Sequence, residues 1–377
     1  MYTIKGMTVN AGRCFPAEIT VDNGLIAKIE EIPAEPGMPL ILPGFIDVHT
    51  HGGNRIDVNH VESYEDVNNL SLFFAEHGVT SFLASVMTDE LDIMDEKVRI
   101  LTDAMERGLD GAELLGIHLE GPFLSAEYKG AMPESLLRDG DYELFEHFEE
   151  ISHGNIRYIT LAPEKPGMLD MIRKIKLNSR CVVSMGHSSA EYDEAIAAID
   201  AGVTSSTHTF NAMKLFHMHR PAISGAALER DEVYTEMISD GFHLHPATVR
   251  LILKTKGFDK VIAITDSIMA AGLPDGPYKL GVNDVVVRNG DAQLLNGVRA
   301  GSTLTMDRAF RNISKFTGKG PELVSKVLAT NQAEMLGLAD RGRIAIGRRA
   351  DLTVLDEDGF VLKTMTNGKV VYDKENR

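Results

Sequence analysis

Apolar runs of strand length alternate with segments of helix length over most of the chain. From residue 44 onward there are eight such runs: GFIDVHTH, TSFLASVMT, LLGIHLEGP, IRYITLAPE, CVVSMGHS, TSSTHTFN, YTEMISDGFH and KVIAITDS. Continuous apolar runs are typical of parallel strands that are buried on both faces, and the helices that connect such strands lie between them. Eight strand–helix units predict an α/β fold built on a (β/α)8 barrel.

Two of the intervening segments carry helix signals. One has Leu70, Phe73 and Phe74 at helical spacing and stops at Gly78, and another runs over residues 192–201 and stops before a glycine. Both continue into the same four residues, GVTS, as repeated units would. A doubly wound sheet is the alternative, but no glycine-rich dinucleotide-binding motif follows the first strand.

The two ends of the chain have a shorter period. Residues 2–42 contain strand-like runs with an Asn-Gly pair between them, which indicates a hairpin. The stretch YKLGVNDVVVRNGDAQLL predicts a hairpin after the eighth strand, and the tail returns to strands and turns. We therefore expect a small β-sandwich formed from both termini, with limits at 1–43 and 341–377, around a barrel at 44–340.

The composition of the chain argues against some classes of function. The 377 residues include 55 acidic and 38 basic side chains, for a net charge of −17, which argues against binding to nucleic acid or to an anionic membrane surface. The two cysteines show no motif spacing, and neither a secretory signal nor an apolar run of about 20 residues is visible. We expect a cytoplasmic protein.

Residues that can bind a metal stand where the predicted strands end. The carboxyl ends of barrel strands carry the reactive groups of such folds, and here they present His49, His51, Glu120, His187, His208, His243 and Asp266. Imidazole and carboxylate are the ligands of Zn²⁺ or Fe²⁺ in sites that keep one position open for water. One buried histidine is more often structural than a ligand, but this many at strand ends predict a metal site.

Asp266 and the loop after the sixth run each have a structural interpretation as well as a functional one. Asp266 could cap a following helix, although SIMAAGLPDG is a poor helix sequence; its other role is to take a proton from water and pass it to a leaving amine. The loop THTFNAMKLFHMHRP contains Asn211 and Arg220 and could be an ordinary solvated loop. Its forked guanidinium and tight turns also suit a phosphate or carboxylate.

Several stretches resemble a known family. PGFIDVHTHGG and GRIAIGRRADLTVLD resemble the amidohydrolase superfamily, and HLEGPF, GHS, THTFNAM, DGFH and TDS resemble its N-acetylglucosamine-6-phosphate deacetylase family. The resemblance implies a barrel with a β-sandwich, usually dimeric. It implies hydrolysis of the acetamide of N-acetylglucosamine 6-phosphate to glucosamine 6-phosphate and acetate by a metal-activated water, in amino-sugar catabolism and cell-wall sugar recycling.

The same resemblance implies roles for individual residues. Glu120, His187 and His208 match the principal metal ligands, and Asp266 matches the acid/base. His49 and His51 match ligands of a second ion, so one or two ions per subunit, Zn²⁺ or Fe²⁺, are expected. The positions that match substrate contacts are Ala131, Met132, Asn211, Ala212, Arg220, Asp240, His243, Arg299, Ala300 and Gly301, with Arg220 lent to the neighbouring active site of a homodimer.

The chain departs from the pattern at two places. Met132 stands where the family often has His or Gln, and strand four ends in TLAPE without the lysine that bridges two metals in many superfamily members. The second departure counts against the nearest alternatives, a cyclic-amide hydrolase or an aminohydrolase. A non-catalytic metal-binding relative is the alternative from another class, but such relatives tend to lose the ligands or the acid/base.

Overall fold

A computed structural model describes residues 1–10 and 12–376. Its strands, in chain order, are β1 Tyr2–Asn10, β2 Arg13–Asp22, β3 Leu25–Glu31, β4 Leu40–Pro43, β5 Phe45–Thr50, β6 Gly52–Gly53, β7 Ile56–Asp57, β8 Val79–Met87, β9 Glu113–Glu120, β10 Ile156–Leu161, β11 Val182–Met185, β12 Ser205–Ser206, β13 Tyr234–Ile238, β14 Val261–Ile264, β15 Gly276–Leu280, β16 Asn283–Arg288, β17 Asp291–Leu294, β18 Leu352–Leu355, β19 Val361–Thr366 and β20 Lys369–Asp373.

Helices follow the barrel strands. They are α1 Tyr64–Glu76, α2 Leu91–Arg107, α3 Tyr142–Ile151, α4 Met168–Asn178, α5 Tyr192–Ala201, α6 Ala222–Glu229, α7 Pro246–Lys256, α8 Met306–Thr317, α9 Pro321–Ser325 and α10 Asn331–Met335. A π-helical turn joins α9 to α10, and short 3₁₀ turns occupy Val58–His60, Glu134–Leu136 and Lys374–Asn376. Across the described residues, no helix has both the length and the apolar character needed to cross a bilayer.

The central sheet is the predicted barrel. Eight parallel strands run in the order β14-β13-β12-β11-β10-β9-β8-β5, and a helix follows each strand on the outside. Its two edges meet at the carboxyl ends, where the Asp266 amide donates to the His49 carbonyl and the His51 amide donates to the Ser267 carbonyl, at 2.9 and 2.8 Å. Strands are buried along their whole length, as in β8, where every residue is buried, including the polar Thr80, Ser81 and Ser85. The (β/α)8 prediction is confirmed.

Strands from both termini form the second part. They make one sheet in the order β20-β19-β18-β4-β1-β2-β3, so the expected sandwich is a single seven-stranded sheet that encloses its own apolar cluster. The Asn23-Gly24 hairpin lies between β2 and β3, with both residues at positive φ, 49° and 80°. In this sheet β4 pairs with β1 on one side and with β18 on the other. We propose that the domain limits lie after Pro43 and after residue 340.

A close approach of two backbones joins the two parts. Gly44 separates β4 from the first barrel strand, and its amide donates to the carbonyl of Asp351 at 2.8 Å. A Cβ at this position would lie 2.2 Å from Thr80 Oγ1 in β8. Glycine is required here, because any side chain would clash with the side chain of Thr80.

Candidate metal centre and active site

Six predicted side chains meet at the carboxyl end of the barrel. The potential ligand atoms form two groups, each with its atoms within 4.8 Å of one another: His49, His51 and Asp266, and Glu120, His187 and His208. Glu120 lies between them. Its Oε1 is 3.1 Å from His187 Nε2, 3.3 Å from His208 Nε2 and 3.4 Å from His49 Nε2, and its Oε2 is 3.2 Å from His51 Nε2.

Hydrogen bonds behind the rings fix which nitrogen faces the centre. The Nδ1–H groups of His187, His208 and His51 donate to backbone carbonyls, those of Tyr128 (2.8 Å), Asn211 (3.2 Å) and Ser85 (3.2 Å). His49 Nδ1–H donates instead to a carboxylate oxygen at 3.1 Å. In the neutral form of each ring, Nε2 is therefore the nitrogen with the free lone pair, and it points at the other ligands.

This arrangement fits a divalent cation. His187 Nε2 and His208 Nε2 lie 3.1 Å apart, and the buried His49 Nε2 has no hydrogen-bond partner among residues 1–10 and 12–376. Converging lone pairs of this kind are unfavourable unless protons or a metal ion lie between them. The donor set, imidazole with carboxylate, suits Zn²⁺ and Fe²⁺ alike.

Charge in the cluster follows from the same contacts. Burial acts to raise the pKa of Glu120, but the surrounding histidines, foremost His51, hold the pKa well below its usual range. Burial likewise acts to raise the pKa of Asp266, and the His51 hydrogen bond together with nearby imidazoles brings it below the ordinary value. For His51, burial lowers the pKa, but Glu120 and Asp266 outweigh it and raise the pKa to about 9. Both carboxylates are thus ionised at neutral pH.

Backbone geometry at the strand ends turns the side chains inward. His187, His208 and Asp266 have φ values of 47°, 25° and 49°, a region that such residues rarely adopt. Each stands two residues beyond the end of a buried strand. Backbone strain of this kind persists where surrounding contacts hold it, which is frequent at functional sites.

A cavity of about 380 Å³ opens above these residues. Its lining includes part of the metal cluster and most of the predicted substrate contacts: Ala131, Met132, Asn211, Ala212, His243, Arg299, Ala300 and Gly301. Met132 is buried in an apolar cluster with Leu280 and Ala300, so no polar side chain occupies its position. Arg299 forms two hydrogen bonds to Asp291 through Nε and Nη2.

Two predicted contacts lie outside the cavity lining. Asp240 accepts from His243 Nδ1 at 2.7 Å, so it orients a ring that does line the cavity. Burial acts to lower the pKa of His243, but the hydrogen bond to Asp240 raises it above the ordinary value. The Arg220 side chain is 73% exposed and its guanidinium is 3.3 Å from Glu191 Oε1, away from the cavity of its own chain.

Sequence reasoning missed three buried polar residues beneath the cluster. His118 bridges Ser85 Oγ and Thr160 Oγ1 at 2.8 and 2.9 Å, and its ring packs edge-on against His49. Asp47 accepts from the Thr265 hydroxyl, and Glu236 accepts from His49. His118 stands two residues before Glu120, which places both on one face of the strand, and this spacing could have indicated it.

Comparisons with known proteins identify the family of the chain. The model of the amidohydrolase family matches residues 40–371. An N-acetylglucosamine-6-phosphate deacetylase of Bacillus subtilis is 39% identical over 347 residues, 91% of this chain and 87% of the relative. An N-acetylgalactosamine-6-phosphate deacetylase of Escherichia coli O157:H7 is 34% identical over 94% of both chains.

A solved structure extends the likeness to three dimensions. An aspartate-to-alanine mutant of N-acetyl-D-glucosamine-6-phosphate deacetylase from Mycobacterium smegmatis, in complex with N-acetyl-D-glucosamine 6-phosphate, superimposes with a TM-score of 0.92 at 32% identity and covers 98% of each chain. The family resemblance of the sequence is thereby confirmed. The chain belongs to the amidohydrolase family and, within it, to the N-acetylglucosamine-6-phosphate deacetylases.

Proposed function

We propose that the protein hydrolyses the acetamide of N-acetylglucosamine 6-phosphate to glucosamine 6-phosphate and acetate. One observation carries the proposal: Glu120, His187 and His208 converge beside Asp266, at the floor of a cavity with room for a sugar phosphate. We place the reaction in the cytoplasm, in amino-sugar catabolism and cell-wall sugar recycling. The two cysteines, which are free thiols, are compatible with a reducing compartment.

Two cation positions are available in this proposal. Glu120, His187 and His208 would hold the principal ion, and His49, His51 and Asp266 would hold a second one. A divalent cation in this place supplies Lewis acidity, which activates a water molecule and polarises a carbonyl oxygen. We propose Zn²⁺ or Fe²⁺, with one or two ions per subunit.

The chain's own residues move the proton and stabilise charge. Asp266 is ionised, so it can accept the proton of the attacking water and deliver it to the amine nitrogen, which an amide requires before it can expel its leaving group. His243 is oriented by Asp240 and lines the cavity, and in its protonated form, which Asp240 favours, its Nε2–H would donate to oxygen that gains negative charge. Ala131, Met132, Arg299, Ala300 and Gly301 would bound the sugar on the opposite wall.

The phosphate would be bound by the loop after β12 and by a partner subunit. Phe210 and Ala212 have φ values of 77° and 45°, so the loop turns tightly and places Phe210, Asn211 and Ala212 against the cavity. The following segment exposes Leu215, Phe216 and Met218, at 63, 56 and 77%. Such an apolar patch is typical of a protein interface, and we propose a homodimer in which Arg220 reaches the neighbouring cavity.

The substrate assay tests the proposal directly. We expect the protein to release free amine from N-acetylglucosamine 6-phosphate. This activity should be lost after prolonged exposure to a chelator and should recover when Zn²⁺ or Fe²⁺ is added back. The unphosphorylated sugar serves as control and is expected to react far more slowly. If no amine is released after metal is restored, the assignment is wrong. If N-acetylgalactosamine 6-phosphate reacts faster, this epimer is the substrate, as the name of the E. coli relative states for that protein.

Arg220→Ala tests the phosphate site. A charge-assisted hydrogen bond of about 1.5–3 kcal/mol is lost, so KM is expected to rise roughly 10–100-fold while kcat changes little. Arg173→Ala, which removes an exposed arginine paired with Asp170 on α4, is the matched control and leaves KM unchanged. An unchanged KM in Arg220→Ala contradicts the contact, and sedimentation of the unmodified protein as a monomer contradicts its route through a partner.

A further inference from the structure

Glu236 is a carboxylate in the middle of a barrel strand. It lies in β13 and is fully buried, with no exposed surface. It belongs to neither group of potential metal ligands and does not line the cavity. A buried charge is costly unless its partners compensate for it, so its contacts indicate its purpose.

Its partners are one residue from each metal group. Glu236 Oε2 accepts the Nδ1–H of His49 at 3.1 Å and the backbone N–H of His208 at 2.8 Å. A single oxygen therefore supports the ring of His49 and the strand end that carries His208. Since the ring of His118 also packs edge-on against His49, with centroids 4.5 Å apart, the plane of His49 is held from two sides.

The acceptor of the His49 Nδ1–H differs in charge from the acceptors of the other three histidine rings. His51, His187 and His208 donate Nδ1–H to neutral carbonyls, whereas His49 donates to a negative carboxylate. A carboxylate in this position fixes the tautomer and makes the opposite nitrogen a stronger electron donor to a metal. His49 is thus the ring whose donor strength is most strongly enhanced.

We propose that Glu236 is a positioning residue that sets the affinity of the cation position formed by His49, His51 and Asp266. It does so by holding His49 in the tautomer with a bare Nε2 and by polarising the ring through the Nδ1 hydrogen bond. The inference rests on the proposed function only in requiring that a divalent cation binds. It predicts that the cation position at His49, His51 and Asp266 depends on Glu236 more strongly than the position at Glu120, His187 and His208 does.

Glu236→Gln isolates the charge, because an amide oxygen in the place of Oε2 can still accept both hydrogen bonds. The protein is saturated with Zn²⁺ and titrated with a chromophoric chelator, which reports how many ions leave and at what chelator activity. Loss of such a supporting group costs about 10–100-fold in metal affinity. We expect one of two ions to leave at a chelator activity lower by that factor and the other to be unchanged within about threefold.

Asp307→Asn is the matched control. Asp307 is also a buried carboxylate that accepts from a histidine Nδ1, that of His77 at 3.1 Å, but it lies outside the metal cluster. Its release curve is expected to match that of the unmodified protein. If Glu236→Gln gives little folded protein, Glu236→Asp replaces it, since the shorter side chain withdraws the charge from His49 with the same expected loss.

A double mutant distinguishes an effect of Glu236 that acts through His49 from a general loss of metal affinity. In a His49→Asn background the second ion is already weakened, so Glu236→Gln is expected to add nothing further. Release curves of Glu236→Gln that match the unmodified protein, an equal shift of both ions, or a single zinc per saturated chain would each overturn the proposal. The readout does not involve turnover, so failure of the deacetylase assay leaves it standing.

Discussion

Asp266→Asn is expected to lower kcat for N-acetylglucosamine 6-phosphate by roughly 10²–10⁴-fold, the usual contribution of a general acid or base. The amide cannot accept the proton of the attacking water, whereas the carboxylate, which is ionised in the cluster, can. Asparagine also tolerates the positive φ of 49° at this position, where alanine would add backbone strain. The measurement is kcat at saturating metal, with metal content by elemental analysis.

The fold is expected to survive this change. The Asp266 amide donates to the His49 carbonyl at 2.9 Å, and its carbonyl accepts from Ser302 at 2.7 Å, and both bonds are made by the backbone. The ion at Glu120, His187 and His208 is expected to be retained. A kcat within tenfold of that of the unmodified protein, at equal metal content, would show that the proton takes another route.

Glu120→Gln is expected to have the other large effect, because one carboxylate contacts the histidines of both groups. Its two oxygens lie within 3.4 Å of four imidazole nitrogens. Without its charge, both cation positions weaken, and loss of about 4 kcal/mol of transition-state stabilisation corresponds to roughly 10³-fold slower turnover. Metal content and kcat are measured together.

Asp307→Asn also serves as the control for this experiment, because it removes a buried carboxylate from a histidine elsewhere in the fold. It is expected to retain full metal content and kcat. If Glu120→Gln still binds two ions per chain with unchanged affinity, Glu120 is not shared between the positions, and the cluster must be assigned without a bridging carboxylate.

The sequence predicts the barrel well because most of its strands are rich in apolar residues. The exception is the sixth run, TSSTHTFN, of which only Ser205–Ser206 forms a ladder. The residues after it leave extended geometry, and His208 already has positive φ. Strand-end position alone brought His49, His51, Glu120, His187, His208 and Asp266 together, because parallel strands of a barrel end on one side.

Other features depend on contacts that no periodicity reveals. In a strand buried on both faces, alternation does not distinguish sides, so nothing in YTEMISDG pairs Glu236 with His49 across 187 residues. The Arg299–Asp291 pair depends on the turn after β17, which brings Arg299 back into an antiparallel bridge with Gln293. The role proposed for Arg220 involves a second subunit, which the pattern of one chain does not describe.

The central place of β4 in the terminal sheet constrains the order in which the molecule can be made. Its neighbour β18 lies about 300 residues downstream, where Leu42 pairs with Thr353. During synthesis from the amino terminus, the edge of β4 that pairs with β18 therefore stays unpaired until nearly the whole barrel has been translated. Because β4 continues through Gly44 into β5, the strand that bears the proposed ligand His49 gains its final anchor among the last steps of folding.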